Sequence, residues 1–253
     1  MNKLTIAALL VTVSVFAQGP RHFGPGGDFA MERAEFGISN KVVQGAPYSA
    51  QAVTQFTQTL PNGDHVQRTT TASIARDSQG RTRVDRSLAA VGALSATAGG
   101  QARAIMIHDS VAGVSYALNP ATKTGTSMQI RTRPAASEAH AQHSAAFKAA
   151  VKTDDLGTQV MQGITAQGKR MTRVIAAGQE GNEKEIDIVT ETWYSPDLQA
   201  LVMSKTSDPR YGETTYQLTG LSRAEPDPAL FAVTGYAITE GRAMMHQRPA
   251  AAQ

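Results

Sequence analysis

Residues 48–76 read YSAQAVTQFTQTL–PNGD–HVQRTTTASIAR. In the first run Tyr48, Ala50, Ala52, Thr54, Phe56 and Leu60 share one parity, and Ser49, Gln51, Gln55, Thr57 and Thr59 share the other. That two-residue period belongs to a strand with one buried face. Asn62-Gly63 then lies between two such runs, a strong hairpin signal because both residue types tolerate positive φ. In the return run Val66, Thr70, Ala72 and Ile74 fall on one side, and Thr69-Thr70-Thr71 favours strand through β-branching.

The same grammar extends in both directions. Downstream, Asp77-Ser78-Gln79-Gly80 turns the chain into a strand at 81–88, with Val84 and Leu88 alternating against Arg81, Arg83 and Asp85. Residues 89–103 are small and glycine-bearing and read as a loop, followed by strands at 104–109, 114–118 and 123–130. Beyond a gap, strands are expected at 155–161, 164–176, 185–194, 198–206 and 213–223, separated by Gly-, Pro- and Asp-rich turns. Residues 137–152 are Ala-rich, open with Ser137-Glu138 and carry Lys148 and Lys152 near their end, which predicts one helical insert. The expected fold is mainly β (α+β): a curved antiparallel sheet or open half-barrel of about ten strands, with one covered and one wet face.

Upstream, Lys3, the apolar run Leu4–Phe16 and Val15-Phe16-Ala17 form a secretory signal peptide over 1–17. The apolar run is shorter than the roughly 20 residues of a spanning helix, so cleavage is expected and no later segment is long enough to remain in the membrane. A flexible leader follows over 18–45, containing Gly24-Pro25-Gly26-Gly27. The β-rich domain then occupies 46–237, and a frayed, disordered tail 238–253.

Composition removes several function classes. The chain has no cysteine, which excludes thiol catalysis, disulfides and Cys-ligated zinc. Lys plus Arg is 24 against 21 Asp plus Glu, too even a balance for a nucleic-acid binder. Gly113-Val114-Ser115-Tyr116-Ala117 approximates a nucleophile elbow but lies inside an expected strand, where the necessary strand-to-helix turn is missing. His140 and His143 share a helix face without a zincin glutamate or a third ligand. Glu180, Glu183, Glu185 and Asp187 cluster beside a loop, where a solvated turn accounts for them. No enzyme, metal or cofactor is therefore expected.

The apolar strand face is the better candidate. Phe56, Ile74, Val84, Ile107, Tyr116, Met128, Ile188, Val202 and Tyr216 are expected to line a concave hollow. A helix of about sixteen residues spans roughly 24 Å, too little to cover ten strands about 4.8 Å apart, and uncovered apolar area of that extent marks a ligand, a partner or self-association. Arg81 and Arg83, with Arg76 and Arg86 nearby, are candidates to hold an anionic headgroup. Lys169, Arg170 and Arg173 form a second basic stretch.

A resemblance adds to this. Thr192-Trp193-Tyr194-Ser195-Pro196-Asp197-Leu198, then Asp208-Pro209-Arg210-Tyr211-Gly212 through Leu218, then Glu225-Pro226-Asp227-Pro228 with Phe231 and Tyr236, resemble a group of secreted bacterial proteins of unknown function common among acidobacteria. That likeness runs from Tyr48 to Tyr236. More distantly, Ile164 to Tyr236 is similar to the outer-membrane lipoprotein carrier (LolA-like) superfamily. The resemblance implies an open antiparallel half-barrel whose apolar hollow is plugged by helices and, in carriers, takes acyl chains. The expected partner is a lipid or lipoprotein acyl chain. The alternative is another envelope protein docking on the open sheet.

Overall fold

A computed structural model describes residues 42–88, 102–130 and 151–241. The signal peptide, most of the leader, residues 137–150 of the helical insert with His140 and His143, and the tail from 242 lie outside the described residues. The described residues form twelve strands: β1 (Tyr48–Thr59), β2 (His65–Arg76), β3 (Thr82–Leu88), β4 (Ala102–Asp109), β5 (Val114–Asn119), β6 (Thr124–Gln129), β7 (Val151–Met161), β8 (Ile164–Ile175), β9 (Ile186–Ser195), β10 (Ala200–Asp208), β11 (Gly212–Ser222) and β12 (Ala237–Glu240), with a 3-10 turn at Pro228–Phe231.

They form one sheet in the order β12-β6-β5-β4-β3-β2-β1-β11-β10-β9-β8-β7. The sequence reading of a curved, open, antiparallel β fold therefore holds. Its connectivity is two antiparallel meanders, β1–β6 and β7–β11, joined in the middle where β1 pairs β11. One pairing is parallel, β12 against β6.

Local chemistry sets the hairpins. Pro61-Asn62 makes an ordinary turn, with the Gly63 amide donating to Leu60 at 2.9 Å and the Leu60 amide to Asp64 at 2.8 Å. Only Gly63 takes positive φ, at 88°. This is a type I turn closed by a glycine bulge, not the mirror-image two-residue turn that Asn-Gly suggests. That tighter turn occurs at Gln162-Gly163, with φ of 50° and 76°, between the paired Met161 and Ile164.

Three expectations need correction. Val151 and Lys152, assigned to the end of the helix, begin β7, paired with Arg173 and Thr172. The Ala run stops at Ala150, and β-branched Val151 and Thr153 favour the strand. Ala237–Glu240, expected to fray, is pinned as β12. Ile238 fits there because Gly125 lacks a side chain; a Cβ would stand 2.9 Å from Ile238 Cδ1 and 2.6 Å from Leu118 Cδ2. Finally, neither face of the sheet is uniformly wet. The larger cluster, including Tyr48, Ile74, Val84, Val202, Tyr216 and Leu218, lies on one face from β3 to β10, and beyond the irregularity at Leu201–Met203 it is continued by Ile164 and Ala166 of β8, whose parity is opposite to that of Lys169. A smaller one, with Ala75, Ile105, Ile107, Leu118 and Phe231, lies on the other, because the chain after β11 crosses that face before reaching β12.

Curvature follows from one contact. Arg76 at the end of β2 donates to the carbonyl of Leu198 in the β9–β10 turn. From β2 to β10 is three strand spacings, about 14 Å if flat, more than an arginine side chain reaches. The face carrying the larger cluster is therefore the concave one.

Candidate functional site

The concave face has two zones. At one end Tyr48, Ala50, Ala72, Ile74, Ala200 and Val202 are buried. Arg76 is 2% exposed there and is satisfied locally: Nε and Nη2 donate to Ala46 at 3.0 and 2.8 Å, and the guanidinium stacks 4.8 Å from the Tyr48 ring. Desolvation pulls the Arg76 pKa down, opposed by the charge interaction with Tyr48. Burial pushes the Tyr48 hydroxyl up, against the pull of Arg76. This end is closed and structural.

Toward the β1–β2 hairpin the face opens. Register places two rows across it. Thr70, Thr54, Tyr216, Ser204, Thr192 and Lys169 form one; Arg68, Phe56, Thr214, Thr206, Thr190 and Met171 form the next. Tyr216 and Ser204 are buried, while Thr54, Phe56, Thr206, Thr190 and Thr192 are half-buried. Threonine presents a methyl and a hydroxyl together, so this floor is neither fully apolar nor strongly hydrated. Thr190 and Thr206 hydroxyls meet at 3.3 Å. Cations stand at both ends of the rows: exposed Arg68 on β2, and Lys169 on β8 with Arg173 two positions beyond Met171. Desolvation raises the pKa of Asp208, but hydrogen bonds from Arg210, aided by the Arg210 and Arg173 charges, outweigh it and hold the carboxyl below its ordinary value.

The predicted apolar residues divide. Ile74, Val84, Val202 and Tyr216 join in the concave cluster. Phe56 and Ile188 are half-buried in the open zone, and Met128, 47% exposed, shares the face out on β6. Ile107 and Tyr116 do not belong there. They pair with each other on the convex face, in the cluster under Phe231. Arg81 and Arg83 are also convex. Arg81 Nε meets Asp77 at 2.6 Å and its guanidinium lies 5.0 Å from the Phe231 ring centre. Arg83 Nη1 donates to the Leu230 carbonyl at 2.8 Å and Nη2 meets Asp85 at 2.9 Å. These two arginines fasten the crossing segment and do not face the concave hollow.

Arg68 is the residue that sequence reading missed. Its signal was a gap in the Val66, Thr70, Ala72, Ile74 parity set, which Arg68 fills. Of the second basic stretch, Lys169 and Arg173 share the concave face. Arg170 points the other way and pairs with Glu191 at 2.6 Å.

Ser115 lies inside β5, and its hydroxyl meets His108 Nδ1 at 2.8 Å across the β4–β5 pair. More strand follows it, so it is not held on the sharp turn that an elbow serine needs. Asp109 caps the next turn, accepting from Val111 and Ala112 at 2.9 and 2.8 Å. Among the described residues no group of three His, Asp or Glu side chains is arranged to hold a metal ion. No helix among them is long and apolar enough to cross a membrane.

No family model matches the chain, and no curated protein does. Among solved structures it is similar to the MucA/MucB complex of Pseudomonas aeruginosa, at 12% identity and TM-score 0.41, over 83% of this chain and 61% of that one. The chain thus spans less than two thirds of that match. It is similar to an uncharacterized conserved protein from Thermus thermophilus at 8% identity and TM-score 0.42, over 85% and 99% of the two chains. A LolA superfamily protein from Nitrosomonas europaea gives 8% identity and TM-score 0.31, over 81% and 96%.

Proposed function

We propose that this is an exported, non-enzymatic binding protein that holds an anionic amphipathic molecule, an acyl chain bearing an acidic headgroup, against its concave face. The observation carrying this is the graded floor of that face. A buried apolar cluster gives way to half-buried threonines and Phe56, and the rows end in Arg68 on one side and Lys169 on the other. Each methylene buried on such a floor contributes about 0.8 kcal/mol, so about ten of them supply the roughly 8 kcal/mol of micromolar retention, and a longer chain offsets the cost of association. The cations add headgroup selectivity and salt dependence more than affinity. Export rests on residues 1–17.

The test is native mass spectrometry of the mature protein from Gln18, followed by lipid extraction. Stoichiometric bound lipid establishes the reading and identifies the class; an empty monomer that also ignores anionic lipid vesicles ends it. Protein docking is the second reading, favoured by β7. That strand is 11 residues long and, among the described residues, has a neighbour on one side only, a ready template for strand addition. It predicts a clean protein that self-associates or retains a partner.

A further inference from the structure

The convex face carries a second recess, about 400 Å³, that the concave-face function does not use. Its walls come from four adjacent strands and the crossing segment: Gln51 on β1, Ser73 on β2, Arg83 and Asp85 on β3, Arg103 on β4, and Leu230 above. Register aligns Gln51, Ser73 and Asp85 in one row across the sheet. Gln51 Nε2 donates to Ser73 Oγ at 2.8 Å, which fixes the neutral end. At the charged end two arginines surround a single carboxylate. Arg103 grips it through Nε at 3.0 Å and Nη2 at 2.6 Å, and Arg83 through Nη2 at 2.9 Å.

Asp85 and Arg83 are largely buried, with side chains 10% and 15% exposed, whereas that of Arg103 is 54% exposed. One carboxylate offsets one guanidinium, so the recess keeps one positive charge in a partly desolvated place, where an anion completes the balance. With Nε and Nη2 of Arg103 turned to Asp85, the other edge of that guanidinium, Nη1 with the second hydrogen of Nη2, is the one that can meet a carboxylate or phosphate oxygen pair. Gln51 and Ser73 offer a mixture of donors and acceptors suited to hydroxyl groups. Among the described residues no aromatic ring lines the recess to stack a nucleobase, and Ala75 and Leu230 present small apolar patches to a C–H face. The size is at the lower end for small-molecule sites.

We propose that this recess binds a small hydroxylated monoanion of the acidic-sugar type, its carboxylate on Arg103 and its hydroxyls on Gln51 and Ser73. Because the site is on the opposite face from the proposed lipid floor, it stands or falls independently of that floor.

The test is isothermal titration of the mature protein with D-glucuronate, with glucose and acetate as controls. Glucuronate is expected to bind, with affinity falling at least tenfold in Arg103→Gln and several-fold in Gln51→Ala, while glucose and acetate bind at least tenfold more weakly. Far-ultraviolet circular dichroism and the fluorescence of Trp193 check that both variants fold; both residues are on the surface end of the recess. No glucuronate binding by the wild type, or equal binding by wild type and Arg103→Gln, overturns the site. Acetate binding as tight as glucuronate overturns the sugar assignment. Lipid retention on the concave face should be the same in Arg103→Gln, which separates a failure here from a failure there.

Discussion

Arg76 and Leu198 are 122 residues apart in sequence, yet the guanidinium of one donates to the carbonyl of the other across the concave face. The same group serves Ala46 with two hydrogen bonds. One side chain therefore ties together the segment entering β1, the end of β2 and the β9–β10 turn. A charge this buried is tolerated because its surroundings supply carbonyl oxygens and the face of Tyr48.

Replacing Arg76 with Ala strands two carbonyls in the interior, each costing about 1–3 kcal/mol. A loss of about 3 kcal/mol is expected in urea unfolding, with Arg76→Lys intermediate because an ammonium cannot span both carbonyls as a fork does. Small-angle scattering should show a more open sheet in Arg76→Ala. An unchanged urea midpoint would mean that the bridge does not hold the curvature.

Gly168 sits beneath the only tryptophan of the chain. A Cβ there would lie 2.7 Å from Trp193 Cη2 and 2.9 Å from Leu156 Cβ. Gly168→Ala gains about 0.4–1 kcal/mol by restricting the unfolded chain, but overpacking costs about 1–3 kcal/mol, so net destabilisation is expected. Trp193 must move, and its emission maximum should shift to the red. A more stable variant with unshifted emission would contradict the contact.

Much of this architecture was legible because the strands alternate. Tyr48 to Phe56 and Val66 to Ile74 announce their pairing and their buried side, and the structure keeps both. Legibility failed where both parities are apolar. In β4 Ala104 and Met106 face one way and Ile105 and Ile107 the other, so the period alone cannot say which set meets the concave side. The deciding fact is distant: Phe231 arrives over Ile105 and Ile107 only because β11 ends at the centre of the sheet and β12 lies at its edge. Arg81 and Arg83 were misplaced for the same reason. Their face was correctly read as shared, but its covering by Leu230 and Phe231 is a tertiary fact.

Asp85 should leave a mark on acid stability. Desolvation is the largest single influence and pushes its pKa up, but hydrogen bonds and charges from Arg103 and Arg83 outweigh it, so the folded value is below the ordinary carboxylate value. A depressed folded pKa contributes stability that is fully present above the unfolded value, about 3.9, and is lost as pH falls through the folded one. Asp85→Asn should therefore lower Tm at pH 6, and the gap to wild type should narrow below about pH 4. Melting curves between pH 2 and 7 decide this; a gap independent of pH would show that Asp85 contributes by packing alone.

The two basic clusters offer the sharpest functional contrast. Arg68 and Lys169 end the threonine rows of the concave face, whereas Arg81 and Arg83 lie under the crossing segment on the convex one. Arg68→Glu with Lys169→Glu reverses charge on exposed side chains, so folding should change by no more than about 0.5 kcal/mol. Retention of anionic lipid should fall at least tenfold at low salt and partly recover at high salt, since salt now screens a repulsion in place of an attraction. Arg83→Gln should do the opposite: it loosens the hold on Leu230 and lowers Tm, yet leaves lipid retention intact. Vesicle co-flotation of both variants at low and high salt makes the comparison. If Arg83→Gln loses lipid and the double reversal does not, the headgroup lies on the convex face and the ligand is not held where the graded floor implies.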